Sequence, residues 1–271
     1  MNRNFTYGDK SPYWRAGDGQ TDGTFYRTGL PADDTKSATT LLTVSGPDTA
    51  GHSANTCWIG TDESGKGDYF GPLIIAGVVV CLDRQADLLD LEVRDSKELY
   101  DATIRHLAPQ IKRLCPHSVV TINPKLYNFL YAGMENLNRL LAWGHARVIE
   151  NLLSNHPCRL ALTDQFGPER HLRTALMDKG RLITVIQESH AERDLAVAAA
   201  SILAREAYLT GLESLCSTFH FNLPKGAGRS VIAAGRRFVS RFGAAKLAEV
   251  GKEHFITTDS ILNPDSQPSS S

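Results

Sequence analysis

The run Leu73-Ile74-Ile75-Ala76-Gly77-Val78-Val79-Val80-Cys81-Leu82 constrains the fold more than any other stretch of this chain. It is apolar and rich in β-branched residues, as is typical of a central strand. Ahead of it, Cys57 to Asp62 reads as a short buried strand ending in acid, and a glycine-rich turn separates the two. Ser118 to Ile122 is strand-like and is ended by Asn123-Pro124. Arg159 to Asp164 repeats the short apolar strand ending in Asp, and Arg181 to Ile186 is a further strand candidate. Helical patterns alternate with these strands. Asp95-Ser96-Lys97-Glu98 places capping residues before a helix carrying Leu99, Ile104, Leu107 and Ile111. Glu135 to Leu153 reads as one long amphipathic helix, and residues 225–252 as helix interrupted by glycines. Ala191 to Leu209 reads as a helix whose Ala196, Ala199, Ala200 and Leu203 face permits close packing on a sheet. The alternation predicts an α/β fold without internal repeats.

The chain has 271 residues, which suits one substantial domain plus an appendage. Residues 1–54 are rich in Gly, Thr, Asp and Ser, and their aliphatic cluster (Leu41, Leu42, Val44) comes late. Such a segment buries too little apolar surface to offset its ordering entropy, so it is expected to be disordered or a degenerate remnant of a domain. Tyr13, Trp14, Phe25 and Tyr26 leave room for a small element there. The folded domain is expected over 55–260, followed by a flexible tail, 261–271.

With 42% hydrophobic and 22% charged residues the composition is that of a soluble globular protein, and no apolar run is long enough to suggest a membrane span. The first residues lack the apolar core of a secretory signal. Cys57, Cys81, Cys115, Cys158 and Cys216 are scattered, odd in number and form no C-x-x-C pair. That argues against a zinc knuckle or disulfide framework and for a cytoplasmic location. Net charge is −1, so any polyanion must be met by a local patch. Lys225, Arg229, Arg236, Arg237 and Arg241 fall in a run with no acidic residue and make the best candidate.

Two apolar strands end in acid, at Asp62-Glu63 and at Asp164, and Glu188, Glu192 and Asp194 gather before the Ala-rich helix. Neighbouring strand ends converge in an α/β sheet, so these carboxylates can meet at one edge. Clustered carboxylates repel one another and are costly to bury. A hard divalent cation such as Mg²⁺ removes that penalty and prefers oxygen ligands. Two such ions about 4 Å apart would clamp the attacking and leaving oxygens of a phosphodiester displacement.

Gly60-Thr61-Asp62-Glu63-Ser64-Gly65-Lys66-Gly67 satisfies the G-x-x-x-x-G-K spacing of a nucleotide loop. Gly67 replaces the hydroxyl residue that would hold Mg²⁺, two acids inside the loop would repel phosphate, and a strand follows rather than a helix. The nucleotide-loop reading fails.

The stretch GTDESGKGDYFGPLIIAGVVV, Gly60 to Val80, resembles the first motif of the ribonuclease HIII branch of the type 2 ribonuclease H family. Further likenesses follow in order: Asp95-Ser96-Lys97, Thr163-Asp164-Gln165-Phe166, Ala191-Glu192 leading into Ala198 to Arg205, and Leu223-Pro224-Lys225-Gly226-Ala227. Together they cover roughly residues 57 to 255. The resemblance implies a ribonuclease H-like fold, a mixed five-stranded sheet flanked by helices with further helices at the C-terminal end. It implies a metal-dependent endoribonuclease that cuts the RNA strand of RNA–DNA hybrids, leaving 5′-phosphate and 3′-hydroxyl ends. Mg²⁺ or Mn²⁺, as two ions, would be held by Asp62, Glu63, Asp164 and Glu192, with Asp194 as the competing fourth acid. Gly65-Lys66-Gly67 would approach the 2′-hydroxyls flanking the cut, the groups that distinguish RNA from DNA.

Ser96, Lys97 and Lys225 are further candidate contacts to the hybrid, although Asp95 or Ser96 also suits a helix cap. The nine histidines show no ligand spacing and read as surface or core residues. Relatives of this kind carry an N-terminal substrate-binding domain resembling the TATA-box-binding fold, which residues 1–54 are too short to supply in full. Two other readings stay open: an enzyme of the HII kind acting at single ribonucleotides in duplex DNA, and a non-catalytic hybrid-binding protein. No membrane and no obligatory protein partner is expected.

Overall fold

The computed structural model describes residues 15–16, 25–26, 42–45 and 57–263. Two short strands, β1 (Arg15–Ala16) and β2 (Phe25–Tyr26), pair antiparallel. The main sheet contains β3 (Leu42–Ser45), β4 (Cys57–Ser64), β5 (Leu73–Cys81), β6 (His117–Ile122), β7 (Leu160–Asp164) and β8 (Thr184–Glu188). Their spatial order is β3-β6-β5-β4-β7-β8. The five expected strands are β4 to β8, and β3, from the segment before residue 55, adds a sixth on the edge of β6. The pairs from β3 through β4 are antiparallel, whereas β4, β7 and β8 run parallel. Tyr13, Trp14 and the tail beyond residue 263 lie outside the described residues.

Along β5, Ile74, Ala76, Val78 and Val80 enter one apolar cluster, while Leu73, Ile75, Val79 and Cys81 enter the other. Burial on both faces explains why this strand reads as an unbroken apolar run. One face is covered by α1 (Gln85–Asp90), α2 (Asp101–Leu114), α6 (Leu195–Phe219), α7 (Arg229–Phe242) and α8 (Ile256–Leu262). The other is covered by α3 (Pro124–Met134), α4 (Leu137–Leu153) and α5 (Glu169–Ala175). A Cβ on Gly60 would lie 2.2 Å from Ala196 C and Val197 N, so α6 rests backbone on backbone against β4. That contact brings the start of α6 to the acidic end of β4. By length and composition α6 could cross a bilayer, yet Ala196 to Ala204 are buried and the helix packs on β4, β5 and α2.

Several boundaries differ from expectation for local reasons. The helix expected over 135–153 begins at Leu137 as α4, and an unexpected helix, α3, precedes it: Asn123 caps α3, with Pro124 in its first turn where a missing N–H costs nothing. Glu135 then takes a left-handed φ of 50°, and Asn136 caps α4 through the amides of Asn138 and Arg139. Asp95 caps only a short 3-10 turn, Ser96–Glu98, so Leu99 precedes a helix that begins at Asp101. Gly180–Leu182 is a 3-10 turn, which delays β8 to Thr184. The helix expected over 191–209 starts later, after a 3-10 turn at Ala191–Arg193, and continues to Phe219.

The cysteine reading also needs correction. Cys57 and Cys81 stand directly opposite in the β4–β5 register and form a disulfide, with Cα atoms 4.0 Å apart. Strand register brings them together, which scattered spacing along the chain does not reveal. Cys115, Cys158 and Cys216 are free thiols.

Candidate active site

The parallel register sets the floor of the site. Thr61 on β4 is level with Thr163 on β7, so Asp62 and Asp164 each follow the last registered pair of adjacent strands. Asp164 is in turn level with Glu188 on β8. The convergence of strand-end acids expected from the sequence is therefore present for Asp62, Glu63 and Asp164. Glu192 arrives from the 3-10 turn ahead of α6, whose Ala191 amide donates to Asp164 Oδ1 at 3.3 Å.

Asp62 is only 5% exposed. Burial, reinforced by the neighbouring Glu63 charge, pushes its carboxyl up to about 8, against the pull of the Glu63 amide and the Ser201 hydroxyl. Burial acts on Glu63 in the same direction, but the His145 and Lys66 contacts outweigh it and leave Glu63 below the usual carboxylate range. His145 is fully buried on α4 and stacked on Phe166. Its Nε2 lies 3.2 Å from Glu63 Oε2, and its Nδ1 lies 2.8 Å from Thr61 Oγ1 and 3.2 Å from Thr163 Oγ1. A carboxylate only accepts, so Nε2 carries the proton toward Glu63, and in that tautomer Nδ1 accepts from a threonine hydroxyl. From the sequence alone this imidazole reads as ordinary surface or core. Its position on the buried face of a helix, between Leu141 and Val148–Ile149, was the available signal.

Lys97 stands over the same corner. Partial burial lowers its ammonium, but Asp95, Asp62, Asp164 and Glu192 together raise it above the ordinary lysine value. Three of the four expected ligands thus act on a single ammonium, and the fourth, Glu63, pairs with Lys66 at 3.3 Å. Ser96 hydrogen-bonds Ser201 on α6, which also reaches Asp95, so the Asp95-Ser96-Lys97 segment is tied to the helix beside Asp62.

Asp194 is differently engaged. Its Oδ1 accepts the amides of Ala196 and Val197, and the Trp58 indole donates to both oxygens at 3.0 and 3.1 Å. It is the cap of α6. Glu192 accepts only from His190 Nδ1 at 3.3 Å among the described side chains. Burial raises the Glu192 carboxyl, but its own amide, His190 and Lys97 together outweigh this and bring it below the usual range.

Among the described residues, no three His, Cys, Asp or Glu side chains close around one point as a ready-made cage. The donor set nevertheless fits a hard cation. It is all carboxylate oxygen, and a buried acid held back from ionising near neutral pH is what an added positive charge would relieve.

The turn after β4 leaves Gly65 with φ +84°, and a Cβ there would meet the Pro72 carbonyl oxygen at 2.3 Å, so this position needs glycine. Gly67 differs, because a Cβ there would meet nothing within 4 Å and its φ is not left-handed. The amides of Lys66 and Gly67 have no hydrogen-bond partner among the described residues. Lys225 is not joined to the carboxylates. Its ammonium binds Asp101 at 2.6 Å, although the next residue, Gly226, touches the turn through Asp68 and Tyr69. On α7, Arg229, Arg236, Arg237 and Arg241 are all exposed; Arg236 donates to the Ser260 carbonyl and Arg241 to that of His220.

Residues 59–258 match the family model described as Ribonuclease HII. Ribonuclease HIII of Protochlamydia amoebophila (strain UWE25) is 48% identical over 204 residues, covering 75% of this chain and 68% of that protein. Ribonuclease HIII of Chlamydia pneumoniae is 45% identical over 208 residues, covering 76% and 70%. The crystal structure of Bst-RNase HIII in complex with Mn²⁺ matches with a TM-score of 0.72 at 32% identity, covering 81% of this chain and 74% of that one.

Proposed function

This chain belongs to the ribonuclease HII family, and on that footing we propose that it hydrolyses the RNA strand of RNA–DNA hybrids with Asp62, Glu63, Asp164 and Glu192 as metal ligands. The observation that carries the site is the placement of Asp62 and Asp164 one residue beyond a registered pair on adjacent parallel strands. Bound Mg²⁺ or Mn²⁺, as two ions, would supply Lewis acidity to the attacking and leaving oxygens of the phosphodiester, giving 5′-phosphate and 3′-hydroxyl ends. The Mn²⁺ complex of Bst-RNase HIII supports a dependence on divalent metal.

The chain's own groups divide the remaining work. His145 fixes the direction in which Glu63 presents its oxygens. Glu192 takes the fourth ligand role in preference to Asp194, whose oxygens are occupied by the cap of α6 and by Trp58. The unpartnered amides of Lys66 and Gly67 suit a hydroxyl acceptor, and the fold itself does not demand a bare Gly67, so an approaching ribose supplies the reason for it. Ser96 and Lys97 flank the scissile phosphate, while Lys225 and the exposed Arg229 and Arg237 meet backbone phosphates farther along. A cytoplasmic location suits an enzyme whose substrate needs RNA and DNA strands together. Metal-titrated cleavage of a uniform RNA–DNA hybrid by wild type and by Asp62→Asn tests the proposal. Near-normal activity in that variant would sink it.

A further inference from the structure

Lys252 is a lysine with no exposed surface, a rare state for this side chain. Its Nζ donates to the carbonyls of Asp68 at 2.7 Å and Gly71 at 2.8 Å, and it lies 5.7 Å from the centre of the Tyr127 ring. Its backbone amide donates to the Tyr69 carbonyl at 2.9 Å. The remaining carbonyl of the series, Phe70, accepts from the Tyr208 hydroxyl at 3.4 Å. Four consecutive carbonyls, 68 to 71, are therefore turned inward, three of them onto Lys252. The pairing of Phe70 with Gly251 and the bond from the Gly71 amide to Val250 continue the same strap. Asn128 on α3 holds the strap through the carbonyls of Ala248 and Gly251 and the amide of Glu253.

We propose that Lys252 is a positioning residue for ribose selection, which holds the inner half of the Gly65–Gly71 turn so that the Lys66 and Gly67 amides face the hybrid. The inference rests on the reading of that turn as the ribose contact. The physical argument is anchorage. The Asp68 amide closes the turn onto the Gly65 carbonyl at 3.4 Å, and Lys252 holds the Asp68 carbonyl at the end of that turn, so the Lys66 and Gly67 amides lie between two fixed points; a buried donor is also costly to leave unmatched. Both hydrogen bonds survive loss of one proton from Nζ, because a neutral amine still carries two N–H groups. Burial lowers this ammonium to about 7, with the Asp68 carboxylate opposing the shift, so both forms occur at working pH.

The test uses the full chain with Mg²⁺ and two hybrids, one with uniform RNA and one with a single 2′-deoxy sugar beside the preferred cut. In the wild type the missing hydroxyl should raise KM. In Lys252→Met, about the same length but without donors, that penalty should shrink by roughly fivefold or more while kcat on uniform hybrid stays within about threefold. Amide exchange over residues 66–71 should accelerate in the same variant. A wild-type deoxy penalty together with wild-type exchange in Lys252→Met would overturn the proposal. If wild type itself cuts both hybrids equally, the turn does not read ribose, and the underlying reading falls along with this one. Should Lys252→Met fail to fold, Asn128→Ala loosens the same strap from outside and is held to the same two criteria.

Discussion

Asp62 and Lys252 are both buried ionisable groups that serve one end of the sheet, and the protein treats them in opposite ways. Lys252 meets two carbonyls of its own chain and completes a fixed turn. Asp62 has Glu63 for a neighbour, and an amide, a hydroxyl and the Lys97 ammonium offset its burial only in part. One region is satisfied internally, while the other keeps an electrostatic debt that is settled by holding a proton or, in the proposed reading, by a bound cation. The difference separates scaffold from reaction centre. A buried charge answered by the chain holds shape, and a buried charge left unanswered marks where a ligand belongs.

The largest effect is expected from Asp62→Asn. It should lower hybrid cleavage by roughly three orders of magnitude or more, and the metal-free protein should melt no lower than wild type, because a neutral amide replaces a carboxyl that burial already disfavours in its charged form. A melting point that collapses would place Asp62 among the scaffold instead. Next in size is His145→Gln, which releases the Glu63 carboxylate. Apparent metal affinity, read by Mn²⁺ titration, should weaken by about 10- to 100-fold. The two acids before α6 come third. Glu192→Gln should cost activity with little change in stability, whereas Asp194→Ala should cost about 0.5–2 kcal/mol of stability with activity largely kept. The reverse pattern would exchange their roles.

The smallest effect is a pH dependence measured by thermal melting without metal. The Asp62 carboxyl sits at about 8 in the fold against an ordinary 3.8, so the stability it contributes is full below 3.8 and is lost as pH rises through about 8. The Lys252 ammonium is lowered from 10.5 to about 7, so its penalty is full below 7 and fades as pH climbs toward 10.5. Each slope is at most about 1.4 kcal/mol per pH unit for one proton. Asp62→Asn should remove the fall between 4 and 8, and Lys252→Met the rise above 7. A rise that persists in Lys252→Met would show that another group drives it.

The parts of this molecule that sequence reveals are those set by local pattern. β5 is an unbroken apolar run because both of its faces are covered, and β4 and β7 end in acid where they reach the site. What sequence hides is made by contacts between distant segments. The Cys57–Cys81 disulfide depends on strand register, and the break between α3 and α4 depends on Glu135 accepting a left-handed conformation that few glutamates adopt. His145 looks like one more helical residue until Glu63 and two threonines from separate strands surround its ring. Lys252, in Gly-Lys-Glu-His, reads as a surface charge, and nothing nearby in sequence announces the turn it supports.

The level pairing of Thr61 with Thr163 has a consequence for how this chain can change over evolutionary time. Apart from the Gly65–Gly71 turn and the Asp95-Ser96-Lys97 segment, the loops between Asp62 and Asp164 can lengthen or shorten without moving either acid, because each is located by counting from a neighbouring strand. A single residue inserted within β4 ahead of Asp62 has the opposite outcome: it turns the carboxylate to the far face of the sheet. Innovation in length is thus open to the periphery and closed to a few positions of two strands.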